Sequence, residues 1–390
     1  MNRSNRFIAG VILLVILSPM LFSITWEAKA SMPTPRSFLG MKTVSGQLYA
    51  IGGRNGNGTL DTLEVYDQAS NTWFTGNSMP SPRREFGIAV VQGKIYIMGG
   101  YDGTVVLSSV LEFDPALGSW TAKTNMPAAR EDMATVVIND IIYVIGGDDG
   151  SSCLDIVDEY DPTSDTWAAG TPMITPRNYL TAEQIGGKIY TIGGCLSSGS
   201  ACNTVEEYDT VTGIWISKTS MPTPRFGLAS AVVGNKIYAI GGFAPVNYFY
   251  STVECYDQAF DSWSSEISMP TARWALAADT AAQKIYAVGG QTLYHSGWTG
   301  INEEATVVVV IEESQSENNG VGFSRPAAPN VFISSMTITG CEQEWFSVYD
   351  VRGSFVGKQR GDRIGYGLSP GVYFIAGMRL GRVLRVTKLR

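Results

Sequence analysis

Histidine is nearly missing from this chain: 390 residues contain one, His295, and only five cysteines. Zinc sites and histidine-based nucleophiles draw on several of these side chains, so neither chemistry has the residues it needs. Charged residues make up only 16%, with a net charge of −8, so nucleic acid is not an expected partner. Amphipathic helical periodicity is also lacking beyond the N-terminus, and no cofactor or metal site is expected. The longest apolar run, Phe7–Leu17, ends at Ser18-Pro19. It is short for a membrane span, which takes about 20 residues, and with two arginines before it reads as a secretory signal. No stable transmembrane span is expected, and the protein is expected to be secreted or displayed at the cell surface.

What is present is repetition. A glycine pair recurs at Gly52, Gly99, Gly146, Gly193, Gly241 and Gly289, each followed by a second glycine, at steps of 47 or 48 residues. Tryptophan recurs at Trp26, Trp73, Trp120, Trp167, Trp215 and Trp263, always six residues before a methionine, which proline follows in every copy but the one at Met173. A period of roughly 40–50 residues marks a propeller or solenoid array. Each unit reads as four short strands. In the fifth these are Gly227–Val233, Lys236–Ile240, Thr252–Tyr256 and the segment at Ser262-Trp263, with turns of Gly, Asp, Asn and Pro between them.

Hydrophobic strand, glycine pair, Tyr-Asp, Trp and Met-Pro-x-x-Arg together resemble the Kelch repeat. The resemblance implies an all-β fold: a six-bladed β-propeller of four-stranded antiparallel blades over residues 24–313. After the sixth glycine pair a strand is expected at Thr306–Ile311, but no tryptophan follows. The sixth blade therefore lacks its outer strand, and the Trp26 segment is the matching spare. That places signal cleavage near Ser23, giving a signal peptide of residues 1–23. The small-x-small sequence Ala28-Lys29-Ala30 offers a competing site that would remove the strand.

Residues 314–328 have a linker composition. Beyond them the repeat stops and the charge reverses: Cys341–Arg390 carries nine Lys/Arg against four Asp/Glu, leaving the rest at about −13. VYDVRGSFV, GLSPGVYFIAG and the closing RVLRVTKLR resemble the C-terminal sorting domain of type IX secretion. The resemblance implies a small β-sandwich over residues 329–390 that engages the outer-membrane secretion machinery. An accessory sandwich that merely adheres to something is the alternative.

Strand alternation puts Met-Pro-x-x-Arg and the loops after the glycine pairs on one face of the propeller. Arg36, Arg83, Arg130, Arg177, Arg225 and Arg273 are therefore candidates for a ligand-binding ring at the mouth, suited to carboxylates. Their recurrence in every blade argues equally for holding blades together, with Glu64, Glu112, Asp158, Glu206 or Glu254 as partners. Residues that differ between blades carry more about specificity. Tyr248 and Tyr250 in the fifth blade, Tyr294 and Trp298 in the sixth, and Trp274 beside its motif arginine suit a sugar ring or a protein partner. Carboxylates on the same face are Glu85, Glu131, Asp132, Asp102, Asp148 and Asp149. No catalytic residue is assigned. The expected function is non-catalytic binding of a glycan or protein at the cell surface. The alternative is a carbohydrate-active enzyme, a glycosidase or a sialic-acid mutarotase, using the Arg- and carboxylate-lined mouth. Cys195 and Cys202, in one loop, are a candidate disulfide.

Overall fold

The computed structural model describes residues 21–245 and 248–310, together with four C-terminal strands between 345 and 388. Residues 1–20, which hold the apolar run, and 311–344, which hold the linker and Cys341, lie outside the described residues.

Phe22–Val310 forms one compact unit of six four-stranded antiparallel sheets. The fifth blade shows the logic. Its inner strand Ala229–Val233 pairs with Lys236–Ile240, which pairs with Val253–Asp257, which pairs with Ser262–Ser265. The second strand is Ile-Tyr-Ala-Ile on both faces because both faces are covered, by the blades before and after it, and all four of these residues are 0% exposed. Asp257 stops the third strand by accepting the Ala259 N–H on Oδ1, at 3.0 Å, which turns the chain toward the rim. Where the second strand ends, Gly241 has φ +65, and a Cβ there would lie 2.6 Å from the Arg273 carbonyl oxygen. Only glycine fits.

Six indoles tie the rim. Trp73, Trp120, Trp167, Trp215 and Trp263 each donate Nε1–H to a backbone carbonyl of the preceding blade, at 2.7–3.0 Å. Trp26 completes the set by donating to the Ile267 carbonyl at 3.0 Å. Its strand, Leu21–Lys29, is the outermost of the sixth blade, beside Asn302–Val310. The ring thus closes with an N-terminal strand, and Ile24 enters the core fully buried.

The third strand of blade six differs from the expected Thr306–Ile311. The segment that pairs with Lys284–Val288 is Asn302–Thr306. Asn302, Glu303 and Glu304 look like loop residues, yet all three are buried: Glu303 pairs with Arg273, Glu304 accepts from Tyr286, and Asn302 Nδ2 donates to the Ala30 carbonyl.

The C-terminal strands Trp345–Asp350, Phe355–Arg360, Gly371–Ala376 and Val383–Lys388 form one antiparallel sheet, with Phe355–Arg360 at one edge and Val383–Lys388 at the other. The second layer of the expected sandwich is not among the described residues.

Candidate functional site

The motif arginines are not at the mouth. Five of the six are 0% exposed and Arg83 is 2% exposed. Arg225 shows the usual arrangement: Nη1 donates to the carbonyls of Gly241 and Thr252, at 3.0 and 2.8 Å, and Nη2 lies 3.0 Å from Glu254 Oε2. Arg36–Glu64, Arg130–Asp158, Arg177–Glu206 and Arg273–Glu303 repeat the ion pair at 2.5–3.0 Å. A guanidinium spent on its own blade has no face left for a ligand, so the recurring arginine braces each blade from within rather than joining one blade to the next. Glu303 is the sixth-blade partner that the sequence did not reveal. Arg83 is the exception. Leu111 stands where the others have a carboxylate, and Arg83 binds only the Gly99 and Ser109 carbonyls and Ser109 Oγ. Glu112, one residue on, points to the other face and pairs with Lys94 and Tyr96.

The mouth is built by the two residues after each arginine. The second of them forms a closed belt: Phe38, Glu85, Asp132, Tyr179, Gly227 and Ala275 each donate their N–H to the carbonyl of the same position in the preceding blade, at 2.8–3.2 Å. All six have φ between +51 and +58. The first residue after the arginine bridges to the residue after the glycine pair: Ser37 with Arg54, Arg84 with Tyr101, Glu131 with Asp148, Asn178 with Cys195, Phe226 with Phe243, and Trp274 with Gln291. The belt frames a cavity of about 120 Å³. Below it a collar of Leu39, Phe86, Met133, Leu180, Leu228 and Leu276 also borders a second space of about 150 Å³ between the inner strands. In that lower space the Lys42 ammonium faces Glu183 and Asp279 and is held above the usual lysine range by them.

The mouth has two unlike walls. On blades two and three, Glu85, Glu131 and Asp132 bring carboxylate oxygens within 4.8 Å of one another. Arg84 Nε lies 3.1 Å from Glu85, and its guanidinium sits over the Tyr101 ring at 4.7 Å. Burial raises all three carboxyls, and repulsion from Glu85 adds to it for two: Glu131 goes to about 7 and Asp132 well above the ordinary carboxylate range, while Glu85 rises by burial against the pull of Arg84. Among the described residues this is the group whose oxygens would suit a metal ion, but Arg84 already places a positive charge there. Asp148 is tied in by Asn178 Nδ2 at 3.1 Å. Asp102 and Asp149 instead cap their own loops, accepting N–H groups from Thr104 and Val105 and from Ser151 and Ser152.

The opposite wall is aromatic. Trp274 lies 5.1 Å from Phe38, 5.4 Å from Phe243 and 6.0 Å from Phe226, between ring centroids. Trp274 and Phe226 are largely interior, so part of this cluster is the loops' own core, while Tyr294, stacked parallel to Trp274, is 59% exposed. Tyr179 joins the walls: its ring packs against Phe226 at 5.7 Å, and its hydroxyl hydrogen-bonds Asp132. Of the other expected aromatics, Trp298 lies over Gly56 of the first blade, where a Cβ would touch its ring at 3.3 Å. Tyr250 is half-buried and fixed by its backbone, which bonds Gly242 and Arg273. The Tyr248 side chain is outside the described residues.

Cys195 and Cys202 are both buried and unbonded. Cys195 faces Ala201 across a bridge, and Cys202, one residue further, falls on the opposite side of that ribbon.

Fold and mouth together define a six-bladed propeller whose scaffold residues recur and whose mouth residues vary. The chain belongs to the KLHDC2/KLHL20/DRC7 Kelch-repeats domain family, which it matches over residues 20–147 and again over 121–290. Among solved structures it resembles YjhT, with a TM-score of 0.62 and 16% identity, over 72% of this chain and 99% of that one. At that identity the likeness is one of fold. No curated protein matches by sequence.

Proposed function

We propose that this protein is an exported Kelch propeller that binds a glycan at its mouth. The observation that carries this reading is the junction of the two walls. An aromatic face holding Trp274 and Tyr294 continues through Tyr179 into a wall of three crowded carboxyls, on which Glu131 Oε2 has no hydrogen-bond partner. Pyranose rings offer an apolar face for stacking and a rim of hydroxyls for hydrogen bonding, and this pairing answers both. The apolar N-terminal run supports export, and the basic C-terminal segment that resembles a type IX sorting domain supports passage through outer-membrane machinery to the cell surface. A glycan array probed with the wild type and with Trp274→Ala and Tyr294→Ala tests the reading. Binding lost in both variants is expected, and an array blank for the wild type would sink it.

A second reading has its own support. Glu131, held at about 7, is poised near neutrality as a general acid–base catalyst should be. A carbohydrate-active enzyme, either a mutarotase or a glycosidase, would use it on a bound sugar. Proton-exchange NMR of anomer interconversion, run beside glycosidase substrates, separates the two: catalysis abolished by Glu131→Gln supports an enzyme.

A further inference from the structure

We infer that the mouth selects a cationic amino sugar over an acidic or neutral one, with the ammonium seated at the Glu85–Glu131–Asp132 wall and the ring laid against the aromatic wall. The inference rests on the glycan reading above and specifies its substrate class.

Charge is the first argument. The six arginines that would neutralise an anion are fully buried and committed to their own blades. In the two layers that frame the mouth, Glu85, Glu131, Asp132 and Asp148 face only Arg54 and Arg84. Arg84 is held between Glu85 and the Tyr101 ring and is not free to turn to a ligand. A sugar carboxylate placed here would find no free guanidinium and would lie beside Asp148 and the crowded carboxyls, so it gains no ion pair.

Unmet hydrogen-bonding capacity is the second, independent argument. Asn178 is 9% exposed, and its Oδ1 has no donor; Glu131 Oε2 likewise has none. Because Asp148 accepts from Asn178 Nδ2, the amide is oriented with its oxygen as the orphan. Buried acceptors left unpaired are costly and rare in folded proteins. Two of the orphans on this wall, Asn178 Oδ1 and Glu131 Oε2, are acceptors, which suits an ammonium with three donors and no acceptor; the orphan donors Arg54 Nε and Arg84 Nε belong to guanidiniums already beside carboxylates. On the facing wall the orphan is a donor, Trp274 Nε1, which suits a ring hydroxyl.

The crowded carboxyls supply a signature. Empty, the wall retains protons because burial, and then crowding of three carboxyls within 4.8 Å, disfavours their charged forms. An arriving ammonium replaces a proton, so binding releases one to the solvent. The groups that set this balance are Arg54 and Arg84, which favour ionisation, and Asp148 and the Tyr179–Asp132 bond beside the three carboxyls.

The test is calorimetry on the intact chain with methyl glucosaminide, methyl N-acetylglucosaminide, methyl glucoside and a methyl sialoside at pH 6.5. An amine near the α-amino range, about 7.7–8.0, is charged there. The amino sugar is expected to bind at least about tenfold tighter than its N-acetyl form, with the sialoside weakest and a heat that tracks buffer ionisation. Glu131→Gln and Asp148→Asn, each checked by melting, should bring the amino sugar to within about threefold of the neutral sugar. Equal binding of the N-acetyl form, tightest binding of the sialoside, or variants that keep full selectivity would overturn the inference while leaving glycan binding in place. Failure of every sugar to bind would remove both.

Discussion

Ring closure by the N-terminal strand makes a quantitative demand. Ile24 is fully buried between blades five and six, and Ile→Ala at such a position costs about 2–5 kcal/mol. Trp26 adds an indole hydrogen bond worth about 1 kcal/mol, and Lys29 an ion pair with Glu304 at 3.6 Å. Each kcal/mol shifts the melting temperature of a large domain by roughly 2–4 °C. Ile24→Ala should therefore lower it by about 5–15 °C, and Trp26→Ala by a few degrees. Deleting residues 1–30 removes all three contributions and bares the edge of Asn302–Val310, so that chain should aggregate as well as melt early. Thermal melting and size-exclusion chromatography read both effects, with Ile24→Val as the mild control. The reasoning is refuted if the deleted chain stays monomeric and melts within about 2 °C of the parent. Mass measurement of the exported protein is the companion assay: a mature chain starting at Ser31 would show that the strand is not kept.

Two further outcomes follow from unlike features of the blades. Arg83 is the motif arginine without a carboxylate, so Leu111→Glu should raise the melting temperature, whereas Glu206→Gln, which strands Arg177, should cost about 3–5 kcal/mol by denaturant titration. Glu131 is held at about 7, above its value of 4.5 in an unfolded chain, so the folded protein binds the extra proton. Its contribution to stability is complete below about 4.5 and is lost as pH rises through 7, opposite to an ion-paired carboxylate, and Glu131→Gln should flatten the melting profile over that window.

The repeat made most of the fold legible. Trp26, six residues before Met32, was enough to place the closing strand, because rim spacing is set by strand and turn length alone. Glu303 was hidden because INEEA has neither the valine nor the Tyr-Asp of its counterparts, and burial of paired glutamates leaves no hydrophobic signal. The arginine ring was legible as a pattern but not as a location: sequence gives the period, and only packing shows that every guanidinium turns into its own blade. The mouth belt was the least visible part. Five of its six members are not glycine, so their left-handed backbone carries no compositional mark. Glu85 and Asp132 stood out as carboxylates, but nothing in one dimension says that Tyr179 would reach Asp132 while packing on Phe226.

The belt around the mouth is made of backbone alone, and this separates the upkeep of the propeller from the choice of what it holds. Side chains at the twelve positions that follow the motif arginines, two per blade and one of each two in the belt, can be exchanged without touching a motif arginine, a rim indole or a glycine pair. Such an architecture behaves as a socket with interchangeable linings. Grafting the two residues that follow the arginine from one blade to another is therefore a route to new binding preferences on an unchanged frame.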